Sequence, residues 1–316
     1  MHEPDVSVVI PLYNKGPLIA RALNSVLVQT IQNFEVIVVD DGSTDNGAMV
    51  VRDFDDPRIL MIQQENLGVS AARNKGAEAA RAEMIAFLDA DDEWMPDHLD
   101  TLLELHKKHP DAGAYGTACL IRGKSLSLRI ASYSVDIHKE PWDGLLTSYF
   151  RAAALGFSPI TASTAAIPKD IFREMRGFNT STWWGEDTDL WGRIALKYPI
   201  AFSWHGMGIY DTEAKNRSCD RIEPIEENIF IRTAMEAIEA GEINPNMRMD
   251  LLEYIANKQI NTALHNVHVG KQKLARVNLK NCETKMLVKE KYLALFLAYA
   301  PPSVYSLFRI IKRFFF

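Results

Sequence analysis

Four short apolar runs occupy the first ninety positions: VSVVIPL over Val6–Leu12, FEVIVV over Phe34–Val39, RILMI over Arg58–Ile62 and MIAFL over Met84–Leu88. None alternates apolar with polar residues. Continuous β-branched runs of this length predict strands covered on both faces, as in a parallel sheet packed between helices. Between them the period changes. Leu18, Ala22, Leu23, Val26 and Leu27 recur with the spacing of a core-facing helical stripe, and the alanine-rich stretch Ser70–Arg81 favours a helix on propensity. Strand and helix alternate over roughly the first 110 residues, which predicts a doubly wound, mostly parallel α/β unit.

Beyond Pro96 the pattern predicts a helix to His109 and a hairpin of strands Ala112–Arg122 and Leu126–Val135 around Gly123-Lys124. A helix over Trp142–Ala154, a strand near Thr161–Ile167 and a helix over Gly185–Leu196 follow. His205 then falls at the end of one strand and Tyr210 on the next. Helical patterns dominate from Pro224, over Ile225–Ala240, Arg248–His268 and Lys271–Asn281. The expected division is an α/β domain over residues 1–218 and a helical region over 219–316.

Of the 316 residues, 47% are hydrophobic and 24% charged, which excludes a disordered or low-complexity chain. The net charge of -6 argues against non-specific nucleic-acid binding, which needs Lys and Arg against phosphates. Cys119, Cys219 and Cys282 are widely spaced with no CxxC, against both a disulfide framework and a cysteine zinc site. The N-terminus lacks the charged and apolar regions of a signal peptide. No run reaches the ~18–20 apolar residues that span a bilayer, so a cytoplasmic protein is expected. The exception to the acidic balance is the basic, apolar end. On a helix from Ser303, Val304, Leu307, Phe308, Ile311 and Phe315 share one face and Arg309, Lys312 and Arg313 another. Such a helix suits the inner face of the cell membrane; docking onto the protein itself or a second copy, as a homodimer, is the competing reading.

Candidate chemistry collects at strand ends, where open α/β sheets bind ligands. Pro11, Tyr13 and Asn14 follow the first strand, Asp40 and Asp41 close the second, and Asp89-Ala90-Asp91-Asp92 closes the fourth. Each cluster alone also reads as turn residues. In extended backbone Asp89 and Asp91 point to one side and Ala90 to the other, and two carboxylates so placed suit Mg²⁺ or Mn²⁺. A second group is Trp183-Trp184-Gly185-Glu186-Asp187-Thr188-Asp189. One acid there is explained by capping a helix. Glu186 and Asp187 together, after two indoles, suit a general base with a raised pKa. His265 and His268 read as a solvated or packed helix face.

The segments VSVVIPLYNKGPLIARALNSVLVQT, FEVIVVDDGSTD, NLGVSAARNKG, FLDADDEWMPDHL and WWGEDTDLWGRIA, in this order, resemble the family 2 glycosyltransferases of GT-A type fold. The resemblance covers roughly residues 5–218 and implies an inverting, non-processive enzyme. It implies a nucleotide base against Tyr13, backbone contact from Pro11, and Asn14 beside it. Asp41 would accept from the base, and Asp40 would serve the same ring or the ribose. Arg73 would face the base or a phosphate, with Asn66 nearby. Asp89 and Ala90 would lie along the ribose or donor sugar, Asp91 would hold the metal with Asp89 beside it, and Asp92 would contact the sugar or acceptor. Asp187 would be the general base and Glu186 its neighbour. The family's late histidine ligand is missing, so Glu213 takes its place in the match, with His205 as the other candidate. The QxxRW segment of processive members is also absent.

The resemblance thus implies transfer from a nucleotide-diphospho-sugar, a UDP-sugar first, to a saccharide or lipid-linked glycan, with Mn²⁺ or Mg²⁺ as cofactor. A sugar-phosphate nucleotidyltransferase ranks lower because Tyr13-Asn14-Lys15-Gly16 offers one glycine and one lysine for a triphosphate. An aspartyl phosphatase would carry its acid after the first strand, where Pro11-Leu12-Tyr13 stands. The non-enzyme alternative is an inactive nucleotide-sugar-binding scaffold subunit, against which the retained Asp91, Glu186 and Asp187 argue.

Overall fold

The computed structural model describes residues 3–123, 127–214, 217, 220–301 and 304–305. The four apolar runs are β1 (Val6–Leu12), β2 (Phe34–Asp41), β3 (Ile59–Gln64) and β4 (Met84–Phe87). They alternate with α1 (Gly16–Leu27), α2 (Gly47–Arg52) and α3 (Val69–Ala79). The chain continues through β5 (Glu93–Trp94), α4 (His98–Lys108), β6 (Ala114–Arg122), β7 (Leu128–Ile130) and β8 (Asp143–Leu145). Next come α5 (Tyr149–Leu155), β9 (Ala165–Pro168), α6 (Lys169–Glu174), α7 (Glu186–Lys197) and β10 (Ile200–Asp211). The helical end holds α8 (Ile229–Glu239), α9 (Pro245–His268), α10 (Gln272–Leu279) and α11 (Val288–Tyr299).

Among the described residues the strands form a ten-stranded sheet in the order β3-β2-β1-β4-β9-β6-β10-β5, with β7 on β6 and β8 on β10. β1 to β4 are parallel, as are β6 and β10, and β9 runs antiparallel between β4 and β6. The chain moves outward from β1 to β2 and β3, then returns to the other side of β1 for β4. The carboxyl ends of β1 and β4 therefore flank a switch point, where a crevice opens.

Every residue of β1 and β2 is buried. Val8, Ile10, Val36 and Val38 pack with Ile19 and Leu23 of α1 and Leu99 of α4. Their neighbours Val9, Ile37, Val39 and Phe87 pack on the other face with Phe150, Leu190 and Trp191. Both faces are covered, which is why the sequence shows no alternation; each such side chain contributes about 1.5–3 kcal/mol by burial. α3 lies so close to β1 that a Cβ on Gly76 would sit 2.4 Å from Val9 Cγ1.

The helical end is seated on this body. Leu251, Tyr254 and Ile255 of α9 join the core of α5 and α7, and the Tyr254 ring lies 5.4 Å from Phe150 and 5.6 Å from Phe230. The remainder of α9 packs with α10 and α11 through Ile260, Ala263, Val267, Leu279 and Leu297.

Three sequence expectations differ. The helix expected over Trp142–Ala154 is β8 followed by α5, because Asp143-Gly144-Leu145 pairs with β10 and Ser148 starts the helix by accepting from the Arg151 amide at 3.2 Å. The second hairpin strand shortens to Leu128–Ile130. His205 and Tyr210 lie on one strand, β10, whose register against β6 slips between Ser203 and Gly208. The amphipathic pattern of 303–316 lies, apart from residues 304 and 305, outside the described residues, as does Cys219. Cys119 and Cys282 are free and buried. Among the described residues no helix is long and apolar enough to cross a membrane.

Candidate active site

Two cavities open at the carboxyl ends of β1 and β4. One, of about 850 Å³, is lined by Tyr13, Asn14, Asp41, Asn66 and Gly68. The other, of about 660 Å³, takes in Arg73, Asp89 to Asp92, Glu186 and Asp187. Pro11, Val69, Trp183 and Arg217 line both, so the two adjoin.

In the first cavity Tyr13 stands 43% exposed beyond β1, free to stack a planar ring. Asn14, at φ 51, holds the loop before α1 to the loop after β2: its Oδ1 accepts from the Thr44 amide at 2.8 Å and its amide donates to Ser43 Oγ at 3.1 Å. Asp41 shapes the opposite wall. Its Oδ1 accepts from the Leu67 amide at 2.9 Å and its Oδ2 from the Gly68 amide at 2.8 Å. Gly68 has φ 91, a conformation that favours glycine. Asp40 points the other way, as strand alternation requires. It is buried, accepts from the Ser43 amide at 3.0 Å and from Gln63 Nε2 at 3.1 Å, and lines neither cavity. It braces the turn after β2.

The second cavity is organised by Arg73. This buried guanidinium donates to Asp89 Oδ1 at 2.7 Å and to Glu186 Oε1 at 2.9 Å, with the Phe178 ring 5.1 Å away. Burial opposes its charge, but Asp89, Glu186 and Asp187 hold it firmly protonated. Arg73 clamps the acids after β4 to those that open α7, and it lines this cavity. Burial, and then the charge of Asp187, push the Glu186 carboxyl up against the pull of Arg73.

Asp91 Oδ2 accepts from Lys15 Nζ at 2.6 Å, and its backbone carbonyl from Arg21 Nη2 at 2.6 Å. Burial and Asp89 raise its carboxyl pKa. Asp92 turns inward: Oδ2 accepts from Ser163 Oγ at 2.6 Å and Oδ1 from the Asp211 amide at 3.0 Å. Burial together with Asp89 and Asp91 pushes Asp92 well above the carboxylate range. One oxygen ties the β4 turn to Ser163 before β9 and the other ties it to the end of β10, and Asp92 lines the cavity as well. Ala90, buried, lines the same wall.

Asp187 lies in the first turn of α7, entered through Gly185 at φ 77, and its Oδ1 accepts from the Thr188 amide at 2.6 Å. The far wall comes from α9: Lys258, Asn261 and His265. Lys15 and Arg21 lie within the first family-like segment, but their partners across the fold are not marked in it; nothing in the pattern of α9 marks Lys258, 71 positions after Asp187.

The two third-ligand candidates are elsewhere. Glu213 is exposed, with its amide on Asp211 Oδ1 at 2.9 Å, and His205 is exposed at the β10 slip; neither lines a cavity. Among the described residues no three His, Cys, Asp or Glu side chains converge on a point that could hold a metal. What the chain offers is Asp91 and Asp89, hard oxygen donors now facing Lys15 and Arg73. That pair fits Mg²⁺ or Mn²⁺ only as an ion completed by substrate oxygens.

A family model described as Glycosyl transferase family 2 matches residues 7–175. The chain is 36% identical over 162 residues to the candidate glycosyltransferase EpsH of Bacillus subtilis (strain 168), covering 50% of this chain and 46% of that protein. It is 40% identical over 99 residues to Glycosyltransferase GlyA of Streptococcus pneumoniae serotype 4, covering 31% and 14%. The chain thus spans less than half the length of these relatives. In fold it is similar to S. aureus TarS 1-349 in complex with UDP-GlcNAc, at a TM-score of 0.65 and 15% identity over 96% of this chain and 91% of that one.

Proposed function

The chain belongs to glycosyl transferase family 2, and on that premise we propose that it moves a sugar from a UDP-sugar to a hydroxyl of a saccharide or lipid-linked glycan with inversion at the anomeric carbon. The observation that carries this reading is that Asp187 and Asp89-Ala90-Asp91 line one cavity, which shares a wall with the one under Tyr13. The complexes of TarS with UDP-GlcNAc and with UDP support a uridine donor.

In this reading the base stacks on Tyr13, between Asp41 and Asn66, and the diphosphate runs toward Asp91. Asp187 takes the proton of the acceptor hydroxyl as its oxygen forms the bond to the anomeric carbon and the bond to the diphosphate breaks, releasing UDP. A single displacement inverts the centre. Asp91, with Asp89, would hold Mg²⁺ or Mn²⁺, which when bound supplies Lewis-acid stabilisation of the leaving charge. Arg73 fixes the distance between donor-side and base-side acids. The apolar and basic sequence of 303–316 supports an acceptor at a membrane surface, which flotation with anionic liposomes would test.

The deciding experiment is a thermal-shift panel of UDP, GDP, ADP and CMP with Mn²⁺, since a ligand of the native state stabilises it by its occupancy. UDP raising Tm above the others, followed by transfer from a UDP-sugar, is the expected result. Stabilisation by another nucleotide alone would refute the uridine donor.

A further inference from the structure

Part of the second cavity is built by residues outside the family-matched segment, among them Trp183, Trp184, Lys258 and His265. Lys258 of α9 reaches into it. Its Nζ rests 4.4 Å from the centroid of the Tyr254 ring, and among the described residues no carboxylate or carbonyl accepts a hydrogen bond from it. Burial lowers its pKa to about 8, and the charge of Asp187 is the influence that opposes the drop. A cation with a π-face on one side and a cavity on the other, influenced by Asp187 but holding no hydrogen-bonded anion among the described residues, suits an anionic ligand.

Beside it stands an aromatic wall. The Trp183 and Trp184 rings lie 5.6 Å apart, and the His265 ring is 5.2 Å from Trp184. His265 is fixed by a 2.8 Å hydrogen bond between Nε2 and the Glu223 carbonyl. Flat, partly exposed rings offer a stacking surface for the C–H face of a sugar. The donor diphosphate is not the natural occupant here. The cations available to it are Arg217, which lines both cavities, and Lys15, which stands at Asp91, whereas the charged neighbour of Lys258 is the proposed base.

We infer that α9 and the Trp183-Trp184 pair form the acceptor subsite, and that it takes an acidic saccharide, a carboxylate or phosphate seated against Lys258 with a sugar ring against the indoles. The assignment of this side to the acceptor rests on Asp187 being the base.

The test is an equilibrium titration of the full-length, UDP-saturated protein with glucose, glucuronic acid and glucose 6-phosphate. A charge-assisted contact predicts that at least one acidic sugar binds about tenfold more tightly than glucose, and the two acids tell carboxylate from phosphate. K258M should erase that preference, K258R should keep it, and W184A should weaken all three sugars alike. Equal binding of the three by the wild type, a preference that survives K258M, or W184A binding all three like the wild type would overturn the inference. So would K258M losing UDP affinity, which would place Lys258 on the diphosphate. Failure of the wild type to bind UDP would defeat the donor reading instead, and the same titration without UDP would still decide the acidic subsite.

Discussion

Lys15 Nζ lies 2.6 Å from Asp91 Oδ2, so the acid that ends the β4 turn is already met by an ammonium from the loop before α1. A divalent cation binding Asp91 has to compete with that charge. K15M should therefore lower the Mn²⁺ concentration for half-maximal stabilisation of the UDP-bound protein by about threefold to tenfold, the scale of one screened charge at this distance. D91N should remove the Mn²⁺ response. A response intact in D91N would show that the cation binds elsewhere.

Asp187 lines the second cavity but not the one under Tyr13. D187N should reduce transfer by about 10²–10⁴-fold, the usual contribution of a positioned base, while UDP affinity measured by calorimetry stays within about twofold. Loss of both together would move Asp187 to the donor site.

Arg73 is 4% exposed and its guanidinium joins Asp89 to Glu186. R73M leaves those acids without their counter-charge, at the lower end of the about 3–5 kcal/mol typical of broken buried pairs, because Asp89 is 31% exposed and water screens part of it. Urea unfolding measures the loss. R73K should recover only part, since one ammonium cannot span both acids as the planar fork does.

Glu35 gives a pH signature away from the site. Burial alone would raise its carboxyl, but hydrogen bonds from Ser7 Oγ at 2.6 Å and from the Arg81 amide and Nε at 2.7 Å hold it below its ordinary value. The unfolded chain therefore takes up that proton first on acidification. The stability Glu35 contributes is present above its ordinary value of 4.5 and is lost as pH falls through the lower folded value. E35Q should unfold more easily than the wild type at neutral pH, and the gap between the two urea midpoints should close from about pH 5 to about pH 3. Asp91, Asp92 and Glu186 shift the other way, so the comparison with E35Q isolates this acid. A gap that is constant with pH would refute the assignment.

The α/β body was legible because its strands are buried on both faces: Val8 and Val9 look into different cores, so β1 reads as an unbroken apolar run. The acids at the strand ends were legible for the same reason, since polar residues abruptly close apolar runs. Their division of labour was not. Asp40 and Asp41 are adjacent and identical in type, yet one holds a turn and the other shapes a cavity wall, because successive side chains of a strand point to opposite faces. Asp92 lines the cavity and is also a brace, a second task set by Ser163 and Asp211, 71 and 119 positions away.

Glu213 and His205 show the limit most plainly. Each has a suitable donor chemistry and a suitable position in the chain, yet both are exposed and neither lines the two cavities described. Sequence by itself determined the elements of the α/β body, the end of the sheet that carries chemistry and the family to which the chain belongs, because periodicity and local motifs depend on neighbours in the chain. Tertiary structure alone decided that Arg73 clamps two acids, that Lys15 meets Asp91, and that Lys258 of a distant helix faces Asp187. Charges pair through space, and the pairing is fixed only once the sheet and α9 have packed.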